Sequence, residues 1–263
     1  MSDLEKVTAC ALVIGNEVLS GRTKDANLNW IANRCTEIGI LLAEARVLPD
    51  VEDVIVDAIN ECRIKYHYVF TTGGIGPTHD DITAACVAKA FNVAIERRKE
   101  AVELLETFIK KENLNEARLK MAEVPVGAQL IYNPVSKAPG FRMQNVYVMA
   151  GVPSIMRSMF DGFAGSLMSG KKVLSQSVAC YLPEGAVAKG LEEIQTRHPN
   201  VDVGSYPFMR SGKFGCTLVS RGVDGNELEQ VVNEIKSMII ELGGEPIDQD
   251  LVTPEDEKSP DDY

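Results

Sequence analysis

Three histidines (His67, His79 and His198), one tryptophan and no Cys-x-x-Cys pair leave little material for a zinc site or a redox dithiol. The six cysteines, Cys10, Cys35, Cys62, Cys86, Cys180 and Cys216, are spread through apolar stretches. That pattern suits buried reduced thiols in a reducing compartment. No Ser/His/Asp or Cys/His arrangement suggests nucleophilic catalysis. No apolar run approaches the roughly 20 residues of a membrane span. Asp3 and Glu5 precede a first apolar run only a strand long, so no signal peptide is expected. A basic excess is also missing, with 38 acidic against 27 basic residues and a formal charge of −11. Six of those net charges fall in residues 248–263, which hold seven acids and one lysine, leaving −5 for the rest. A body of that charge has no nucleic-acid footprint. These absences predict a cytoplasmic chain with neither membrane nor nucleic-acid partners, acting on a small molecule.

What is present is enough for a large core. The chain has 263 residues, 45% of them hydrophobic, which allows one large or two modest domains without disulfide or metal staples. Val7–Ile14 is a continuous apolar run, as in a strand buried on both faces. Leu28, Ile31, Cys35 and Ile38 recur at helical spacing and stop at Gly39. Ile40–Leu48 reads as a second strand, Val51–Cys62 as a helix, and Tyr66–Thr72 as a third strand. Helices are expected from Ile82 and from Val102, strands at Gln129–Tyr132 and Val146–Met149, and a helix at Val152–Phe163. This alternation predicts an α/β fold, a three-layer doubly wound sheet with mostly parallel strands. It is expected to span residues 1–168. Beyond a small polar linker, residues 172–247 read as a β-α-β-β-α unit, a small α+β domain. Residues 248–263 have too little apolar content to pack and are expected to form a disordered acidic tail.

The densest motif is Thr71-Thr72-Gly73-Gly74-Ile75-Gly76-Pro77-Thr78-His79-Asp80-Asp81, between a strand and a helix. Its glycines permit tight turning, and exposed amides before a helix suit a phosphate. It is neither a Walker loop nor G-x-G-x-x-G. Asp80 and Asp81 are expected in the first helical turn. They could cap it, or could hold Mg²⁺ or another divalent metal between carboxylate and phosphate oxygens. Further polar clusters fall at strand C-termini, where open α/β sheets bind ligands. Gly15-Asn16-Glu17 follows the first strand, Asp25 and Asn27 open the next helix, and Asp50 follows the second strand. Convergence of Glu17, Asp25, Asp50, Asp80 and Asp81 on one sheet edge would require a cation. Lys137, Pro139 and Gly140 lie in a loop where the lysine could meet phosphate, and Ser154 could cap the helix after Gly151-Val152-Pro153.

Together these motifs resemble the molybdopterin-binding domain of molybdenum cofactor biosynthesis. Ile14–Gly21, Asp25-Ala-Asn27, the Gly-Gly-Ile-Gly loop, Ala138-Pro139-Gly140-Phe141 and Gly151-Val152-Pro153 carry the resemblance over residues 7–165. It is nearest the N-terminal domain of the CinA competence/damage-inducible family. Val201–Pro207 and the strand and helix after it are similar to the region following this domain in CinA-type proteins and in eukaryotic FAD synthases. Two departures stand out: Ser136 replaces the usual glycine of Asn-x-x-Gly, and Ile155 replaces an acidic residue. The resemblance implies catalytic roles for Asp50 and Asp81. With the loop chemistry above, metal binding is expected at Asp80 and Asp81, and ligand contacts from Gly15, Asn16, Glu17, Gly73, Gly74, Gly76, Thr78, Lys137, Pro139 and Gly140. It points to a divalent-metal-dependent pyrophosphatase acting on FAD, ADP-ribose or related dinucleotides. The alternatives are a molybdopterin adenylyltransferase and a non-catalytic module that binds a pterin or nucleotide. An assembly of identical chains is expected.

Overall fold

The computed structural model describes residues 7–210 and 212–248, the Lys111 side chain apart. The chain divides into two units between Lys171 and Lys172. The first runs β1 (Val7–Ile14), α1 (Asn16–Leu19), α2 (Asn27–Glu37), β2 (Ile40–Leu48), α3 (Glu52–Lys65), β3 (Tyr68–Thr72) and α4 (Thr83–Ala90). A smaller excursion follows, with β4 (Ile95–Arg97), α5 (Lys99–Glu106), α6 (Glu116–Leu119) and β5 (Glu123–Pro125). The chain then returns through β6 (Gln129–Ile131), β7 (Gly140–Met143), β8 (Val146–Met149) and α7 (Pro153–Ala164).

Six strands form one sheet in the order β2-β1-β3-β8-β7-β6. The first four are mutually parallel, and β7 and β6 add antiparallel. The continuous apolar runs of β1 and β3 have their reason here, because both sheet faces are covered. Cys10, Leu12 and Ile14 join residues of α3 and α4 in one buried cluster. Val7, Ala9, Phe70 and Met149 join residues of α2 and α7 in the other. Trp30 is half-buried and packs edge-on to Phe160 with ring centroids 5.4 Å apart. All six cysteines are buried free thiols.

The second unit runs β9 (Leu174–Cys180), α8 (Glu184–Arg197), β10 (Asp202–Arg210), β11 (Lys213–Gly222), α9 (Gly225–Glu241) and β12 (Ile247–Asp248). Its antiparallel sheet has the order β10-β11-β9-β12, and α8 and α9 contribute to a single core with it. The β-α-β-β-α order is as expected, with one strand more. Asp248, assigned above to the unpacked tail, instead pairs with Val178 and bonds Lys236 at 2.6 Å. Residues 249–263 lie outside those described.

Other local differences have simple causes. β7 replaces the loop expected around Gly140, because four residues after Pro139 give too short a pattern to mark a strand. It is paired to β8 as a hairpin, with Phe141 buried against Val148. α4 begins at Thr83, so Asp80 and Asp81 precede the helix and are not in its first turn. Ser154 does not cap α7, which opens with Pro153 at its first position. Among the described residues no helix is long and apolar enough to cross a membrane.

Candidate functional site

The order β2-β1-β3 reverses direction at β1, so the loops leaving β1 and β3 start side by side at the kind of switch point where open α/β sheets bind ligands. Backbone bonds hold those loops in place. Gly15 N donates to Leu48 O at 3.0 Å, and Gly73 N donates to Met149 O at 3.1 Å. Gly73 has φ +98°, and a Cβ there would lie 2.1 Å from the Ile14 carbonyl oxygen. Only glycine lets the two loops approach this closely. Gly74, at φ +68°, is bounded by the buried Thr83, whose hydroxyl donates to Gly73 O at 3.0 Å while its amide donates to Gly74 O at 3.0 Å.

Anchoring at these points fixes what the loop can offer. The Gly73 amide is committed to Met149, which removes it from phosphate binding. The amides of Gly74, Ile75 and Gly76 donate to no acceptor among the described residues. All three residues line a cavity of about 140 Å³ with Asp81, Lys120 and Phe141. Beyond it, the Thr78 amide donates to Asp81 Oδ2 at 2.7 Å. The Thr78 hydroxyl lies within hydrogen-bond reach of Asp80 Oδ1 and, at 2.6 Å, of Asp81 Oδ2. A hydroxyl has one proton to give, so two carboxylates on it leave one oxygen contact uncompensated. That bond to Thr78 holds Asp80 below the usual carboxylate range. Two carboxylates and a hydroxyl converging on one point fit a hard divalent cation that keeps its other positions for water and phosphate.

The other expected site residues are distributed differently. Asp50 Oδ2 accepts the Asn16 amide at 2.9 Å, joining the loops after β1 and β2. The Glu17 carboxylate folds back over Gly15, where an added Cβ would lie 2.6 Å from it. Asp25 caps α2, accepting from Leu28 N at 2.9 Å. The expected convergence of Glu17, Asp25, Asp50, Asp80 and Asp81 is therefore not found. Among the described residues no three His, Cys, Asp or Glu side chains are grouped to hold a metal. Asp25 and Asp50 each accept from a backbone amide, and only Asp80 and Asp81 meet, on the Thr78 hydroxyl. Lys137 donates to Tyr132 Oη at 2.5 Å and lies over its ring, so it is turned to its own loop. Gly140 is buried, with a Cβ excluded by the Val148 carbonyl at 2.2 Å, which accounts for that glycine by packing. Pro139 lines the cavity. His79 is 98% exposed. The Ser136 departure is explained locally, because buried Asn133 donates to the Ser136 hydroxyl at 2.6 Å.

Lys120 was missed. It reaches the loop from 42 residues away, donating to Thr78 O at 2.5 Å, and lies in no motif.

Residues 10–169 match the family described as the probable molybdopterin binding domain. The chain belongs to that family. Residues 172–243 match the middle domain of FAD synthase. A protein of Archaeoglobus fulgidus is 31% identical over 227 residues, covering 86% of this chain and 95% of that one. A probable FAD synthase of Caenorhabditis elegans is 29% identical over 261 residues, or 89% of this chain, but this match spans only 50% of the synthase. Among solved structures, the CinA protein of Thermoplasma acidophilum is similar with a TM-score of 0.59 and 29% identity, over 62% of this chain and 99% of that one. The molybdopterin-binding domain and the CinA-like fold are thereby established.

Proposed function

We propose that this molybdopterin-binding-family protein is a divalent-metal-dependent hydrolase of nucleotide pyrophosphates such as FAD or ADP-ribose. The observation that carries the reading is the adjacency of three unengaged loop amides, Gly74 to Gly76, to the Asp80–Asp81 pair sharing one hydroxyl. Amides in such a loop bind phosphate oxygens and stabilise charge that develops on them. Asp80, Asp81 and Thr78 would hold the cation, which when bound supplies Lewis-acid polarisation of the phosphate. Asp50 keeps one carboxylate oxygen on the Asn16 amide and has the other to accept a proton from water. In net terms a water oxygen bonds to one phosphorus, the bridging P–O bond breaks, and two phosphate monoesters leave.

The test is an end-point assay with FAD, ADP-ribose and NAD, with and without magnesium. Turnover that stops on chelation is expected. Asp81→Asn, which keeps acceptor capacity towards Thr78 but removes charge, should lower the rate by about two orders of magnitude or more. Its melting temperature should stay near wild type. Equal turnover by Asp81→Asn would remove this residue from the reaction. Family membership also favours a second reading, adenylyl transfer to molybdopterin, which calls on the same phosphate-holding loop. Incubation with ATP and molybdopterin separates the two by product.

A further inference from the structure

The excursion between α4 and β6 carries no motif, yet it is built with care around its own small core. Ala101, Leu105 and Ala122 are fully buried there, with Met121 packed against them. Arg97 ties the segment together, bonding Glu116 at 2.9 Å and Glu123 at 3.0 Å. Those contacts fix the 3-10 turn Lys120–Ala122 and so fix where the Lys120 side chain can reach. Its ammonium donates to Thr78 O at 2.5 Å, and the residue lines the cavity with Gly74, Gly76 and Asp81. An ammonium has three N–H donors and no acceptor. One donor is engaged. Among the described residues, no carboxylate lies within 4.0 Å of it to form an ion pair.

The basic groups that the sequence motifs contain do not share this position. Lys137 is bound to Tyr132, and His79 points to solvent. Lys120 therefore stands beside the glycine loop with two unengaged donors and no contact ion pair, its charge felt by Asp80 only at longer range, where three backbone amides are also unengaged.

We propose that Lys120 binds a non-bridging phosphate oxygen of the ligand and completes, with the Gly74–Gly76 amides, a site for a nucleoside pyrophosphate. This rests on the nucleotide-pyrophosphate reading above and adds to it a ligand residue from outside every recognised motif. A lysine suits the task as a flexible point charge that can follow a phosphate without fixed bidentate geometry. The Thr78 carbonyl holds the ammonium in position beforehand, so less side-chain entropy is lost when the phosphate arrives.

The test uses the full chain and ADP-ribose with a chelator in place of magnesium, so that no turnover consumes the ligand during the titration. The dissociation constant is measured by calorimetry at low and high ionic strength for wild type, Lys120→Met and Lys120→Arg. Lys120→Met should weaken binding about tenfold or more, the scale of one charge-assisted hydrogen bond. Its affinity should also depend less steeply on salt than that of wild type, since one charge contact is gone. Lys120→Arg should recover most of the affinity. A residue that merely pinned the Thr78 loop would leave the salt dependence unchanged, and that result overturns the proposal. Equal affinity of wild type and Lys120→Met overturns it too, while leaving the pyrophosphate reading intact. Failure of wild type to bind ADP-ribose, ADP or FAD overturns both.

Discussion

At the scale of single residues, glycines that look equivalent in the motif have separate duties. Gly73 has a left-handed backbone and a carbonyl oxygen 2.1 Å from where a Cβ would sit, so any side chain must push β1 and β3 apart. Gly76 has neither constraint. Its added Cβ would meet only the Asp81 carboxylate at 2.7 Å, the far end of a movable side chain. Urea unfolding should separate them. Gly73→Ala is expected to lose about 3 kcal/mol or more, combining backbone strain with a backbone clash. Gly76→Ala should lose under about 1 kcal/mol while displacing Asp81 and impairing metal-dependent turnover. Comparable stability of the two variants would contradict the division.

At the scale of elements, two polar devices fix how helices and strands meet, one beside the loop after β1 and one at the far end of α3 from the glycine loop. Asp25 precedes α2 and accepts from the amides of its first turn, Asn27 N at 3.4 Å and Leu28 N at 2.9 Å. Asp25→Ala should cost about 1 kcal/mol in a denaturation curve, as for lost caps generally, and leave the proposed magnesium-dependent turnover unaltered. The second device joins β2 to α3. Glu44 accepts from Tyr66, from Arg46 at 2.5 Å and from Lys65 at 3.0 Å, while Arg46 reaches Glu61 at 2.7 Å. Those bonds, with that of Tyr66 the largest, pull the Glu44 carboxyl from its ordinary 4.5 down to about 2. A lowered folded value means the network stabilises the protein above the unfolded value. Its contribution is lost as pH falls from about 4.5 towards 2. Glu44→Gln should therefore cost about 1 kcal/mol at neutral pH, and its melting temperature should converge on wild type near pH 2.

At the scale of the whole molecule, the chain is two units with separate cores. The glycine loop, the carboxylate pair and Lys120 all belong to the first, and the FAD synthase-like segment to the second. Each buried cluster draws its residues from one unit alone. Residues 1–171 expressed alone should therefore unfold cooperatively and bind ADP-ribose with the affinity of the full chain. A fragment that melts without a transition, or loses binding, would show that the second unit is required.

Much of this was legible without coordinates, where the physics is local or periodic. Unbroken apolar runs of β1 and β3 mean strands covered on both faces, and strand–helix alternation means a largely parallel sheet. Dispersed cysteines in apolar stretches mean buried thiols. The glycine loop was visible because left-handed turns require glycine within a few residues of one another. What the tertiary structure decided is everything that depends on which backbone donor a side chain finds. Spacing could not tell that Asp25 caps a helix, that Lys137 turns to Tyr132, or that Gly140 yields to a neighbouring strand. Nor could it place Asp80 and Asp81 on one threonine hydroxyl. Lys120 is the extreme case. Sequence periodicity reports which face of an element is buried, but the meeting of Lys120 with Thr78 is set by how a whole excursion folds back onto the sheet.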